Sequence, residues 1–270
     1  AAGNAHYQLA TMFLERGADP NAAPRGWTAL HQVSWVRKAG VAGSNNPAPP
    51  GSGSMDSLEF VRTLVLYGAD VDARVAKRPP AGVTSLNMVG ATPFLLAART
   101  ADTEYMTLLA NLGADPMATN EDGTTALLIA AGVGTAAPGE DPGTEPEVLE
   151  AVQLALSLGN DINAVDYKGE TAMHGAAAKH VPSVVRYLAQ SGARIEIWNQ
   201  PNNEGFTPLR ITEGIHKGMS IVRSPITEAA VRGVRSFYDH VDPGPRVCDG
   251  TACRFGGGPA LRGRLEAQAP

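Results

Sequence analysis

The sequence predicts an all-α repeat solenoid of about five to six units, and three observations carry that expectation. A Gly-led turn recurs along the chain. It reads "ERGADPNAAPRGWTAL" at 15–30, "NLGADPMATNEDGTTAL" at 111–127 and "SLGNDINAVDYKGETAM" at 157–173. Looser copies are "LYGADVDA" at 66–73 and "QSGARIEIWNQPNNEGFTPL" at 190–209. A Thr then stands at a fixed place before a short apolar run, at Thr28, Thr92, Thr125, Thr171 and Thr207. Beyond each run, apolar residues return at helical spacing.

Each unit therefore reads as a turn, a finger, a first helix and a second helix. The opening Gly, as at Gly113 and Gly159, follows an apolar helix and suits a left-handed position where a Cβ would be strained. Asp19, Asn21, Asp115, Asp161 and Asn163 then supply side chains that fold back on their own backbone. The Thr hydroxyls cap the first helices, and Pro93 and Pro208 take first helical positions, where a missing N–H costs nothing. Runs such as Ala97, Ala98 and Ala176, Ala177, Ala178 let first helices approach closely. Second helices follow from Leu58, Val61, Leu64 and Val65, from Tyr105, Leu108 and Leu109, from Val148, Val152 and Leu156, and from Val181, Val184, Val185 and Leu188.

The opening glycines fall at 17, 68, 113, 159 and 192, so the spacings are 51, 45, 46 and 33. With its Gly-Ala-Asp turn and Gly-x-Thr-Pro-Leu-His-like helix start, the chain resembles the ankyrin repeat family, whose period is about 33 residues. The resemblance covers roughly 1–238. It implies helix-turn-helix pairs with β-hairpin-like fingers, a role in binding protein partners, and a structural inter-unit hydrogen bond from His31 and His174. The longer spacings read as that period with inserts at 40–57, 74–90 and 132–147. The first and third leave one edge of the stack between paired helices, while 74–90 lengthens a finger and is expected to project from the opposite end. Such inserts are either tolerated surface loops or a binding face.

The repeat domain is expected over 1–240, with a partial first repeat at 1–16, and 241–270 reads as a Pro/Gly-rich tail. Neither a starting Met nor a signal peptide opens the chain, which reads as N-terminally truncated. The surplus of Arg over Lys and the abundant Ala lean toward a bacterial source.

Composition bounds the function. Hydrophobic content of 43% supplies a core, and 6% aromatics suits close-packed small helices. A net charge of −5 gives no general attraction to nucleic acid or anionic lipid, and no apolar stretch is long enough to span a membrane. P-loop, HExxH, GxSxG and EF-hand patterns are absent, so no catalytic residue, cofactor or metal site is expected. Cys248 and Cys253, the sole cysteines, allow a disulfide-closed hairpin, free thiols or half of a metal site. A bridge would favour a periplasmic or secreted home over the cytoplasm. Trp27, Trp35 and Trp198 are either partner anchors or packing residues.

The expectation is a non-catalytic protein-binding module whose inner face is built from fingers and first helices. Outward-facing positions there are expected at Gln32, Trp35, Leu96, Arg99, Ile129, Tyr167, Lys168 and Lys179. Two alternatives stay open: the recognition arm of a larger enzyme or electron-transfer protein, and a structural spacer.

Overall fold

The computed structural model describes residues 1–38, 49–79, 84–139, 141–214 and 223–238, together with the backbone of Arg246–Cys248 and Cys253–Phe255. The described residues stack as helix pairs in which an inner row of short helices is backed by an outer row. The inner row comprises a 3-10 turn at Ala2–Asn4, α2 (Ala29–Arg37), α4 (Pro93–Arg99), α6 (Ala126–Ala131), α8 (Ala172–Lys179) and α11 (Pro208–Thr212). The outer row comprises α1 (Tyr7–Glu15), α3 (Ser57–Leu66), α5 (Thr103–Asn111), α7 (Glu145–Ser157), α9 (Pro182–Gln190) and α12 (Pro225–Phe237). Each inner helix packs on its inner neighbours and on its own outer partner.

Caps explain where the inner helices begin. The hydroxyls of Thr92, Thr125 and Thr207 accept from Leu95, Leu128 and Arg210 N–H. Thr28 and Thr171 instead share a reciprocal cap with the histidine three residues on. Every inner helix is so short that nucleation alone would leave it unstable in water. Burial stabilises it: Leu95, Ala97, Ala98, Ala126, Leu127 and Ala176 lie in one continuous apolar interior with the outer-row Val148, Val152, Val184 and Leu188. The turns behave as read. Gly113 and Gly159 hold φ of 96° and 100°, and Asp115 and Asp161 accept from the amides of Met117 and Asn163 at 2.8 and 2.9 Å.

Polar contacts set the register between units. Asn21 Oδ1 accepts from Asp70 N–H, Asp72 from Asp115 N–H, and Asn163 from Arg194 N–H. The fingers pair edge to edge through single backbone bonds: Ala76 N–H to Gly26 O, Glu121 to Val89, Tyr167 to Asp122 and Asn203 to Lys168. Arg37 makes the strongest tie. Its guanidinium donates twice to the buried Asp102 at 2.6 and 2.9 Å and once to Ser57 Oγ at 2.7 Å.

The inserts depart from expectation. Asp56 caps α3 and Thr144 caps α7, so the ends of 40–57 and 132–147 are already helix; 39–48 lies outside the described residues. The finger extension 74–90 does not project from the opposite end. Thr84 forms an antiparallel bridge with Thr135, and Ser85 N–H donates to Gly134 O at 3.0 Å. The two inserts meet because α6, with six residues, is only about 9 Å long. Trp198, expected in a finger, ends a short helix, α10 (Ile195–Trp198), and is buried. Within 241–270, Arg246–Cys248 and Cys253–Phe255 pair as antiparallel strands with Cys248 opposite Cys253, a departure from a plain tail. The side chains of both cysteines lie outside the described residues.

Because Asp102 is buried, removing its partner leaves an uncompensated charge in the interior. Arg37→Ala should lower unfolding free energy by about 3–5 kcal/mol in urea titration, with Asp102→Ala partly restoring it.

Candidate partner-binding face

The inner face runs along the finger bases, where the residue between Gly and the capping Thr is Trp27, Ala91, Thr124, Glu170 and Phe206 in turn. In the first half of the stack the protein covers this row itself. Trp27 meets Trp35 edge-on at 5.6 Å and donates Nε1–H to Gln32 Oε1 at 3.2 Å. Ala91 is buried together with Val75 and Met88 of the finger extension, which it meets through backbone hydrogen bonds.

The insert after α6 then lies across the helix ends. Arg99 Nη2 pairs with Asp141 at 3.2 Å, and Lys179 Nζ donates to Pro142 O at 3.2 Å. Burial lowers the pKa of both cations, opposed for each by Asp141. The approach is close enough to require glycine on both sides. A Cβ on Gly132 would sit 2.6 Å from Gly175 O, and one on Gly175 would sit 2.5 Å from Val133 N.

Six of the eight expected outward positions are consequently not outward. Leu96 is 1% exposed, and Trp35, Arg99, Ile129 and Lys179 are likewise buried; Gln32 is half-buried against Gly3 and Trp27. Trp27 covers Trp35 and Gln32, the insert after α6 holds Arg99 and Lys179, and close-packed inner helices bury Leu96 and Ile129. Tyr167, at 77% exposed, and Lys168 do face solvent on the fourth finger, with Lys168 Nζ held to Asp122 at 2.6 Å.

Beside Lys168 the inner face opens into a cavity of about 370 Å³. Three finger turns shape it, each built around one buried side chain. Asn120 Oδ1 accepts from the amides of Asp122 and Thr124, Asp166 Oδ1 from Lys168 and Glu170, and Asn202 Oδ1 from Glu204 and Phe206. These residues stand three before Gly123, Gly169 and Gly205, so their period was visible in the sequence. What no sequence spacing signalled is that Glu170 would line a cavity. Burial and the nearby Asp166 carboxylate push Glu170 up to about 7. Among the described residues no three His, Cys, Asp or Glu side chains are placed to hold a metal ion.

His31 and His174 serve the framework. Each Nδ1 accepts from the N–H of its capping Thr, which leaves Nε2–H to donate to Ala91 O at 3.1 Å and Phe206 O at 3.2 Å in the next unit. Burial lowers both to about 4, in keeping with neutral rings.

No protein-family model matches the chain. Among curated proteins, it is 31% identical over 144 residues to the B-cell lymphoma 3 protein homolog of Mus musculus, covering 53% of this chain and 29% of that protein. It is 25% identical over 100 residues to Ankyrin repeat protein 14 of Vaccinia virus (strain Western Reserve), covering 35% and 41%. The matches thus span well under half the length of both relatives. Among solved structures, it superposes on an ankyrin repeat domain from Acinetobacter baumannii AYE with a TM-score of 0.53 at 20% identity, covering 87% of this chain and 95% of that one.

Two titrations follow from these environments. At about 1.4 kcal/mol per pKa unit, each buried histidine contributes on the order of 3 kcal/mol of stability that is present above about pH 6.5 and lost as pH falls toward 4. The urea midpoint should fall across that window, and His174→Gln should flatten its slope. Glu170 has the opposite sign. Its raised pKa contributes stability below about pH 4.5 that disappears as pH rises through about 7. Thermal melts of Glu170→Gln should therefore gain a few degrees over the parent at pH 8 and almost nothing at pH 5.

Proposed function

We propose that this chain, an ankyrin repeat protein, is a non-catalytic interaction module that takes a protein partner on the uncovered half of its inner face, around the fourth and fifth fingers. The single observation that carries this reading is an open cavity of about 370 Å³ bordered by Asp166 and Lys168, the chain neighbours of the 77% exposed Tyr167. An exposed tyrosine on a finger fixed by its neighbours offers large contact area at low ordering cost, the profile of an interface anchor. Lys168, Asn203 and Glu204 continue the same rim. The buried positions Leu96, Arg99, Ile129 and Lys179 act in this reading by holding the inserts and the stack in place. Trp35 and Gln32 close the first half. No helix among the described residues is long and apolar enough to cross a membrane.

Co-purification with mass spectrometry identifies the partner. The Tyr167→Ala, Lys168→Ala double variant should then weaken its capture about tenfold or more, with thermal unfolding unchanged. Glu150→Ala, on the outer helix α7, should bind as the parent does. Equal loss in both variants, or none in either, would remove the fourth finger from the interface.

A further inference from the structure

The cavity beside Tyr167 has a division of character that narrows what it accepts. Part of its lining is apolar and comes from three separate places: Leu86 of the finger extension, Val133 after α6, and Ala178, Phe206 and Ile211 of the last two inner helices and their finger. The same lining carries the acidic residues Asp166, Glu170 and Glu204. One cation, Lys168, also borders the space, and its ammonium is drawn away to Asp122 at 2.6 Å. His174 lines the floor as a neutral ring with both nitrogens bonded to the framework.

The carboxyls are not equivalent. Asp166 is spent on its own turn, accepting from two amides and, through Oδ2, from Thr124 Oγ1 at 3.1 Å. Glu170 has only Asn202, which donates to Oε1 at 3.3 Å, and nothing among the described residues donates to Oε2. A half-buried carboxylate with one oxygen open, in a cavity that is also lined by apolar residues, presents both parts of the complement to a long basic side chain: a surface for its methylene stem and an anion for its head. The volume, at the small end of ligand pockets of about 300–1,000 Å³, holds one such side chain. A metal ion is a poor fit, since no three ligating side chains converge there.

We propose that this cavity receives one arginine or lysine side chain of the protein partner, with Glu170 as its counter-ion; this rests on the interaction-module reading above. Glu170 is then the specificity determinant of the face, because a partner presenting a neutral residue covers the open oxygen of its carboxylate without supplying a counter-charge. The same geometry makes seating of the cation stronger above pH 7 than below it, since Glu170 gives up its proton near that pH; Asp166, Glu204 and Lys168 are the other charged groups that border the space.

The experiment is an NMR titration of the intact chain with Nα-acetyl-arginine amide, alongside the neutral isostere Nα-acetyl-citrulline amide. The arginine compound should give saturable shifts confined to Leu86, Thr124, Ala178 and Asn202, with apparent Kd at least fivefold weaker at pH 6 than at pH 8. Glu170→Gln, a variant expected to be no less stable than the parent, should weaken it about tenfold, and citrulline should behave likewise in the parent. Glu204→Gln, as a second variant, should have the smaller effect. Equal response to both compounds, shifts elsewhere on the surface, or indifference to Glu170→Gln would overturn the proposal. If the captured partner depends on Tyr167 while arginine ignores the cavity, this inference fails and the module reading stands; arginine binding with no dependence of capture on Tyr167 gives the reverse.

Discussion

Everything in this fold depends on inner helices too short to exist alone. α6 has six residues and α11 five, lengths at which the backbone hydrogen bonds gained do not offset the entropy of ordering the first turn. They persist because α4, α8 and the outer α7 around α6, and α8 with the outer α12 around α11, remove Leu127, Leu128, Ala130 and Leu209 from water. The need is mutual, which is why the sequence repeats: a unit is stable only as part of a row. Histidine links from one inner helix to the next finger and the Asx bonds from turn to turn then select one register among those that hydrophobic burial alone would allow.

That dependence also governs the inserts. A short inner helix presents a correspondingly short face, so chain entering from the finger end and chain leaving from the other end come within hydrogen-bonding distance over α6. The 84–86 and 134–135 segments exploit this by bonding to each other. The ion pair of Arg99 with Asp141 and the Lys179 bond to Pro142 anchor the second insert on two neighbouring inner helices. Surface that a plain repeat would leave to a partner is filled from within. The open part is displaced toward the fourth and fifth fingers, where two flanking turns and an insert wall make a concave space in place of a smooth groove.

Most of the scaffold was legible in the residues, since turn, cap and helix each need a specific residue type at a fixed offset. Gly113, Thr125, Pro208 and His174 announce their places because few other residues satisfy the local geometry. The candidate binding face was less legible for a definite reason. Counting from the capping Thr gives which side of a helix Leu96, Arg99, Ile129 and Lys179 occupy, but not what lies over it. That depends on contacts between segments some fifty residues apart, such as Thr84 with Thr135, which no local pattern encodes. Tyr167 and Lys168 escaped this difficulty because the neighbouring fingers bond them along the backbone and at Lys168 Nζ without covering their side chains. Glu170 was missed because a single glutamate next to a turn glycine looks like any solvated charge. Its significance comes from Asp166 below it and Asn202 beside it.

Residue-resolved hydrogen exchange tests this account most directly. The Ser85 amide belongs to an inserted finger loop but donates to Gly134 across α6. If the inserts are structural members of the stack, Ser85 exchanges only through the same large opening that exposes Leu128 and Ile129, with protection of the same order. Exchange of Ser85 at the rate of a free peptide, with Leu128 still protected, would mean that the inner face is bare and that the self-covered surface described above does not exist.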